Sequence, residues 1–282
     1  MAEKAILFDS TKCMACRACQ VACKQWNELP GQTTKNIGSY ENPPGLSPNT
    51  RIRLRFAEVS LKNGSVDWLF TRQSCMHCTD ATCATVCPTG AMFRHEMGFV
   101  AVDKTACSGC GYCAEFCPFG VPKMTGNKVT GMAMSDKCVM CQDRVTSGLE
   151  PACVKTCPPN ALTFGGRDEI VASGNQRVQQ LQSAGYTDAS LYGEKELGGL
   201  HVMYVLTNSA ESYGLPVKPE VPSTATAWQN VIQPVGSAVL GLTVAGLILN
   251  FLVARSTVKA ESGKPEQSVA RSSGSSTKES RQ

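Results

Sequence analysis

Apolar residues in the first two hundred positions of this chain come in short runs, each about a strand's length, and the runs stand beside clusters of cysteine. "AILFDS" near the start reads as a strand, "GFVAVDKTAC" places another just before a cysteine cluster, and "NALTFGG" places one just after the last cluster. "RIRLRFAEVSL" follows the turn-rich "NPPGLSPNT" and alternates apolar and charged positions with the period of two of a half-buried strand. Arg51, Arg53 and Arg55 then share one face, which a solvated strand surface explains more simply than a docking surface for an acidic partner. Ile170, Val178 and Leu181 recur at helical spacing, "HVMYVL" reads as a short buried strand, and "SYGLPVKPEVPSTATA" as a proline-punctuated linker. The flanks form a repeated unit of strand, cysteine loop and short helix, two copies per half. The fold class expected is α+β, rich in loops.

The pattern changes at residue 235. From Val235 to Ala254, "VGSAVLGLTVAGLILNFLVA" runs for twenty residues without a charge. At about 1.5 Å per residue such a helix spans the roughly 30 Å of a bilayer core. Trp228 sits ahead of it where an interfacial anchor would, and Ser237, Gly241 and Ala245 form a stripe of small residues that suits a neighbouring membrane helix. Beyond it, residues 255–282 are rich in Ser, Gly, Lys and Glu and are expected to be disordered. Four Lys or Arg lie in residues 255–274 against one, Lys218, in residues 215–234, so the positive-inside rule puts the tail in the cytoplasm and the cysteine domain outside. The domains expected are a cysteine body over 1–165 with an insertion at 24–74, an extension and linker over 166–227, a membrane helix over 228–254 and the tail from 255.

All sixteen cysteines fall into four quartets with none left over: Cys13, Cys16, Cys19, Cys23; Cys75, Cys78, Cys83, Cys87; Cys107, Cys110, Cys113, Cys117; and Cys138, Cys141, Cys153, Cys157. A disulfide framework suits short secreted chains, and "MAEKAILFDSTK" has no apolar stretch long enough for a signal peptide. The first and third quartets have the spacing C-x2-C-x2-C-x3-C. Two residues between sulfurs let a tight loop wrap one corner of an iron–sulfur cube, and a fourth cysteine three residues on points to a second cube. The second and fourth quartets keep the first pair and the closing x3-C-Pro while lengthening the middle, which loop closure tolerates. Zinc ribbons instead use two C-x2-C pairs far apart on one ion, which this spacing suits badly.

If each closing cysteine crosses to a partner, the simplest nested pairing joins quartets two with three and one with four. Cluster 1 is then Cys13, Cys16, Cys19 with Cys157; cluster 2 is Cys138, Cys141, Cys153 with Cys23; cluster 3 is Cys75, Cys78, Cys83 with Cys117; cluster 4 is Cys107, Cys110, Cys113 with Cys87. The same sixteen cysteines are the iron ligands of four [4Fe-4S] cofactors. Met14, Met76, Met140, Val139, Tyr112 and Phe116 are expected to pack around them and exclude water. His77, inside the second quartet, is not needed as a ligand.

Composition excludes more than it adds. The net charge is +4, of which the last 28 residues supply +3, so the body has no basic footprint for nucleic acid. No nucleophile–base pair, phosphate loop or substrate pocket can be read beside the cysteines, so no catalytic residue is assigned. Closely spaced centres make an electron relay, and chemistry at either end belongs to partner subunits.

The quartets resemble the four-cluster ferredoxin-type subunit of membrane-bound molybdopterin oxidoreductases. "CMACRACQVACKQWN", "GLHVMYVL" followed by "YGLP", and the single C-terminal span resemble the iron-sulfur β subunit of respiratory formate dehydrogenase, a likeness covering residues 5 to 254. The resemblance implies two pseudo-symmetric bacterial-ferredoxin-like modules, a molybdopterin-containing catalytic subunit of molybdenum or tungsten that oxidises formate, and a cytochrome b subunit that passes electrons to quinone. It also implies a higher-order oligomer of the heterotrimer in the inner membrane, with the clusters facing the periplasm. The iron-sulfur subunit of a membrane hydrogenase is the alternative within this class, and a membrane-tethered metal-binding assembly protein the alternative outside it.

Overall fold

A computed structural model describes residues 2–60, 64–126 and 133–262. It divides into two compact units, Met1–Gln229 and Asn230–Gln282. The first unit is organised by a four-stranded sheet. Its strands are β1 (Lys4–Asp9), β8 (Leu162–Gly166), β9 (Ser190–Tyr192) and β10 (Val202–Leu206), in the order β8-β1-β10-β9. β1 runs parallel to β10, with Ile6 opposite Val202, and antiparallel to β8.

Both faces of the two central strands are covered, which is why "AILF" and "HVMYVL" are apolar without alternation. On one face Ala5, Leu7, Met203 and Val205 meet Ile170, Val178 and Leu181 of helix α6 (Arg167–Ser183). These three are the residues whose spacing predicts that helix. At its start, the Gly166 N–H donates to Glu169 Oε2 at 3.1 Å, and Asp168 and Glu169 lie in its first turn, where the helix dipole favours them. On the other face Ile6, Phe8, Val202, Tyr204 and Leu206 join a core that also contains Cys19, Cys23, Cys153, Met76 and Met140. The sheet is therefore the floor on which the cysteine loops stand.

Three hairpins complete this unit: β2 (Arg53–Ser60) with β3 (Val66–Gln73), β4 (Met92–Arg94) with β5 (Val100–Val102), and β6 (Lys123–Gly126) with β7 (Ala133–Asp136). The arginine face of the first is not solvated. Arg51, just before β2, grips Asp136 through Nε and Nη2 at 2.6 and 3.1 Å and donates from Nη1 to Asn27 Oδ1 at 2.6 Å. Arg53 pairs with Glu41, and Arg55 lies directly over Gly214. Alternation located the strand but could not show that folding brings carboxylates from distant segments against its charged face. "SYGLP" is likewise more than a linker, since Tyr213 and Leu215 are buried core residues.

The second unit is dominated by helix α8 (Gln233–Ser262), which contains the predicted span and continues to Ser262, eight residues further than Ala254. Residues 255–262 are thus helical, and the rest of the expected tail lies outside the described residues. The helix is long and apolar enough to cross a bilayer, with a mean hydropathy of 2.1 in its most apolar window, and none of that window is buried.

A line of four cysteine sites

The local structure at each quartet repeats. The residue just before the second cysteine has a left-handed backbone every time: Ala15 at φ 54°, His77 at 50°, Gly109 at 74° and Met140 at 56°. Three of these four are not glycine, so each holds a conformation that costs about 1–2 kcal/mol. Left-handed turns of this kind aim successive backbone N–H groups at one point, the arrangement that receives an anionic centre. One such donor, the Met140 N–H, reaches Cys138 Sγ at 3.4 Å, and strand N–H groups reach two further sulfurs: Met92 to Cys87 Sγ at 3.4 Å and Ser135 to Cys107 Sγ at 3.5 Å.

A short helix then carries the third cysteine. Cys19 lies on α1 (Ala18–Trp26), Cys83 on α2 (Thr82–Thr85), Cys113 on α3 (Tyr112–Glu115) and Cys153 on α5 (Ala152–Lys155); a fifth short helix, α4 (Gln142–Thr146), follows Cys141. The closing cysteine comes four residues after the third, inside α1 for Cys23 and just past the short helix for Cys87, Cys117 and Cys157. Helix α1 packs against α5, and α2 against α3. The first quartet is thereby laid against the fourth and the second against the third.

The neighbours of each sulfur follow from that packing. Burial pushes the Cys13 thiol up to about 11, and the nearby Cys157 and Cys16 add to the effect. Burial likewise raises Cys19 to about 12, with Cys153, Cys13 and Cys157 acting on it and Arg72 opposing. Cys23 is raised by burial and then by Cys138, Cys153 and Cys141, members of another quartet. Cys78 is raised by burial and by Cys75, Cys83 and Cys117, while Cys113 is raised by burial and, against a hydrogen bond to Ser135, by Cys110, Cys107 and Cys87. The structure therefore sets sulfurs of the first quartet beside those of the fourth, and sulfurs of the second beside those of the third.

Three sets of four cysteines that cross between quartets each line one space: Cys23, Cys138, Cys141 and Cys153; Cys75, Cys78, Cys83 and Cys117; and Cys87, Cys107, Cys110 and Cys113. Among the described residues no three Cys, His, Asp or Glu side chains converge as ligands of a single metal ion would. Four sulfurs spread around one space, met by N–H donors and walled by Met76, Val100, Val121 or Met140, fit an iron–sulfur cube.

The groups also follow one another. Cys19 of the first is close to Cys153 of the second, Cys138 of the second to Cys75 of the third, and Cys83 of the third to Cys113 of the fourth. Cys16 and Cys110, at the two ends, are exposed. Met76 and Met140 are buried as expected, whereas Met14 is 60% exposed beside the terminal Cys13 and shields little. His77 is fully buried and accepts from the Val100 N–H through Nδ1, so it supports the loop. Trp228 packs on Tyr112, with ring centroids 4.8 Å apart.

Two buried cations had no signature in the sequence. Arg72 donates to Cys153 Sγ at 3.6 Å, and Lys137 donates to the carbonyls of Val100 and Cys138. Each is a single charged residue inside a segment otherwise read as strand or cysteine loop.

Comparison with known proteins agrees with this geometry. Residues 12–91 and residues 66–167 each match a family of 4Fe-4S dicluster domains. With sixteen cysteines in two such modules, the cofactors are four [4Fe-4S] clusters. The chain is 39% identical over 255 residues to the nitrate-inducible formate dehydrogenase iron-sulfur subunit of Escherichia coli, covering 89% of this chain and 85% of that one. It is 36% identical to formate dehydrogenase 2 subunit beta (cytochrome c-553) of Nitratidesulfovibrio vulgaris over 74% of this chain and 96% of that one. It is also 40% identical to the thiosulfate reductase electron transfer subunit of Salmonella typhi, over 68% and 92% respectively. The likeness to the Escherichia coli protein takes in more residues than the first compact unit holds, so it runs into the apolar helix. By that identity and coverage, the chain belongs to the family of formate dehydrogenase iron-sulfur subunits.

Proposed function

We propose that this chain is the electron-transfer subunit of a membrane-bound formate dehydrogenase, non-catalytic itself, and that the four cysteine groups are the ligand sets of its clusters. Cys13, Cys16, Cys19 and Cys157 hold cluster 1; Cys23, Cys138, Cys141 and Cys153 cluster 2; Cys75, Cys78, Cys83 and Cys117 cluster 3; Cys87, Cys107, Cys110 and Cys113 cluster 4. Each cluster, when bound, takes up and returns an electron. The cysteines fix spacing, and the surrounding Met, Val and backbone N–H groups exclude water and set potential. The observation that carries the reading is the single file of four groups with an exposed cysteine at each end.

Tunnelling falls steeply with distance, so such a line has one useful direction, end to end. In this reading one end of the line receives electrons from a pterin-bearing catalytic subunit and the other passes them to a quinone-reactive cytochrome b subunit in the membrane. The charge bias around the helix supports a periplasmic cluster body over residues 1–165, completed by 166–227, with the membrane helix at 228–254 and a cytoplasmic tail from 255.

The hydrogenase alternative is not favoured, because the relatives matched into the apolar helix are formate dehydrogenase subunits. The decisive experiment is dye reduction by the complex purified from membranes. Formate-dependent reduction with about sixteen irons on this subunit, at four per cube, is expected; hydrogen-dependent reduction, or zinc in place of iron, overturns the reading.

A further inference from the structure

Arg72 is wholly buried, 0% exposed, at the end of β3. Its Nη1 donates to Ser74 Oγ and its Nη2 to Cys153 Sγ at 3.6 Å, while its Nε has no partner. The hydroxyl of Tyr204 donates to its carbonyl oxygen. No carboxylate is among these partners. A guanidinium does not give up its proton in proteins, and a buried charge without a counter-charge is strongly disfavoured. The groups that face it and favour its charge are Cys153, Tyr204, Cys138 and Cys19, so sulfur from two adjacent sites is what balances it.

We propose that Arg72 is a built-in counter-charge to the second site, raising the reduction potential of the cluster held by Cys23, Cys138, Cys141 and Cys153. The proposal rests on the ligand sets given above. Reduction adds a negative charge to a cluster, and a fixed cation in a water-free interior stabilises that charge more than it would in solvent. Arg72 acts through the Cys153 sulfur, so it is a positioning residue. Lys137, 2% exposed and facing Cys75 and Cys83, occupies a comparable place at the third site. Among the described residues, the main influences on Cys87 and Cys113 of the fourth site include no cation, which makes that site the comparison for the second.

The test is a potentiometric titration, followed by electron paramagnetic resonance, of the intact complex carrying Arg72→Gln or Arg72→Lys, with iron counted first. With Arg72→Gln, one cluster is expected to need at least a tenfold more reducing poise, about 59 mV for one electron. One other follows by less, two do not move, and Arg72→Lys stays within threefold of the natural protein. Full iron with no cluster moved in Arg72→Gln overturns the proposal and leaves the ligand sets standing, because those are tested separately by cysteine replacement. If Arg72→Gln assembles too little iron to titrate, Arg72→Lys decides: a shift within threefold supports the charge role, and a tenfold fall with full iron refutes it.

Discussion

Gly109 and Gly111 flank Cys110, and both have a left-handed backbone, φ 74° and 81°. Their surroundings differ. A Cβ on Gly109 would lie 2.0 Å from the carbonyl oxygen of Ala133 and 3.0 Å from its carbon, whereas a Cβ on Gly111 would meet nothing within 4 Å. Gly111→Ala therefore carries only the conformational penalty, about 1–2 kcal/mol. Gly109→Ala carries that and an overlap with β7 backbone, which overpacked sites relieve at a further 1–3 kcal/mol. The equivalent positions in the other quartets, Ala15, His77 and Met140, hold the same left-handed geometry with side chains, so conformation alone is tolerable there. Because cluster proteins unfold irreversibly, the readout is the rate at which purified protein bleaches under an iron chelator. The excess of 1–3 kcal/mol makes Gly109→Ala lose its most labile cluster about 5- to 150-fold faster than Gly111→Ala. Equal rates for the two variants, both fully loaded at the start, would show that the loop does not depend on the close approach to Ala133.

Three other outcomes follow from the geometry. Cys157→Ser is expected to disturb the resonance of the cluster held by the first quartet; a loss confined to the fourth quartet's own cluster would refute the crossover. Asp136, 3% exposed, takes Arg51 bidentately and Lys104 as well, so Asp136→Asn strands a buried guanidinium and should destabilise the cluster body by about 3–5 kcal/mol, measured as faster bleaching in urea, with Lys104→Gln far milder because Lys104 is largely exposed. A chain stopped after Gln229 should leave the membrane fraction with its iron intact, since the first unit is compact by itself; iron loss on truncation would mean that α8 supports the clusters.

Much of this was legible in the residues. Cysteine spacing gave the quartets because a tight loop and a following turn of helix are local structures, and local structure follows local sequence. The strands β1, β5, β8 and β10 and helix α6 were legible for the same reason, each carrying its own apolar period. The partners of polar groups were not. Arg51 meets Asp136 across 85 residues and Arg177 meets Asp9 across 168, and nothing in either segment marks the other. Arg72 and Lys137 escape sequence reading because a buried cation is written with the same letter as a solvated one. Left-handed turns at Ala15, His77 and Met140 are equally silent, since no glycine announces them as it does at Gly109.

The same side chains serve folding and conduction. Cys19, Cys23 and Cys153 belong to the core that covers the inner face of the β1–β10 sheet, and cysteine sulfurs stand where aliphatic side chains would fill an ordinary domain. The left-handed loops and the buried charge of Arg72 carry a cost in the protein alone. Each of these is offset by one event, the binding of iron and sulfide to the sulfurs, so folding energy and redox function come from the same contacts. Such a core cannot be tuned piecemeal: a substitution that loosens one cysteine loop shifts a potential and a stability together.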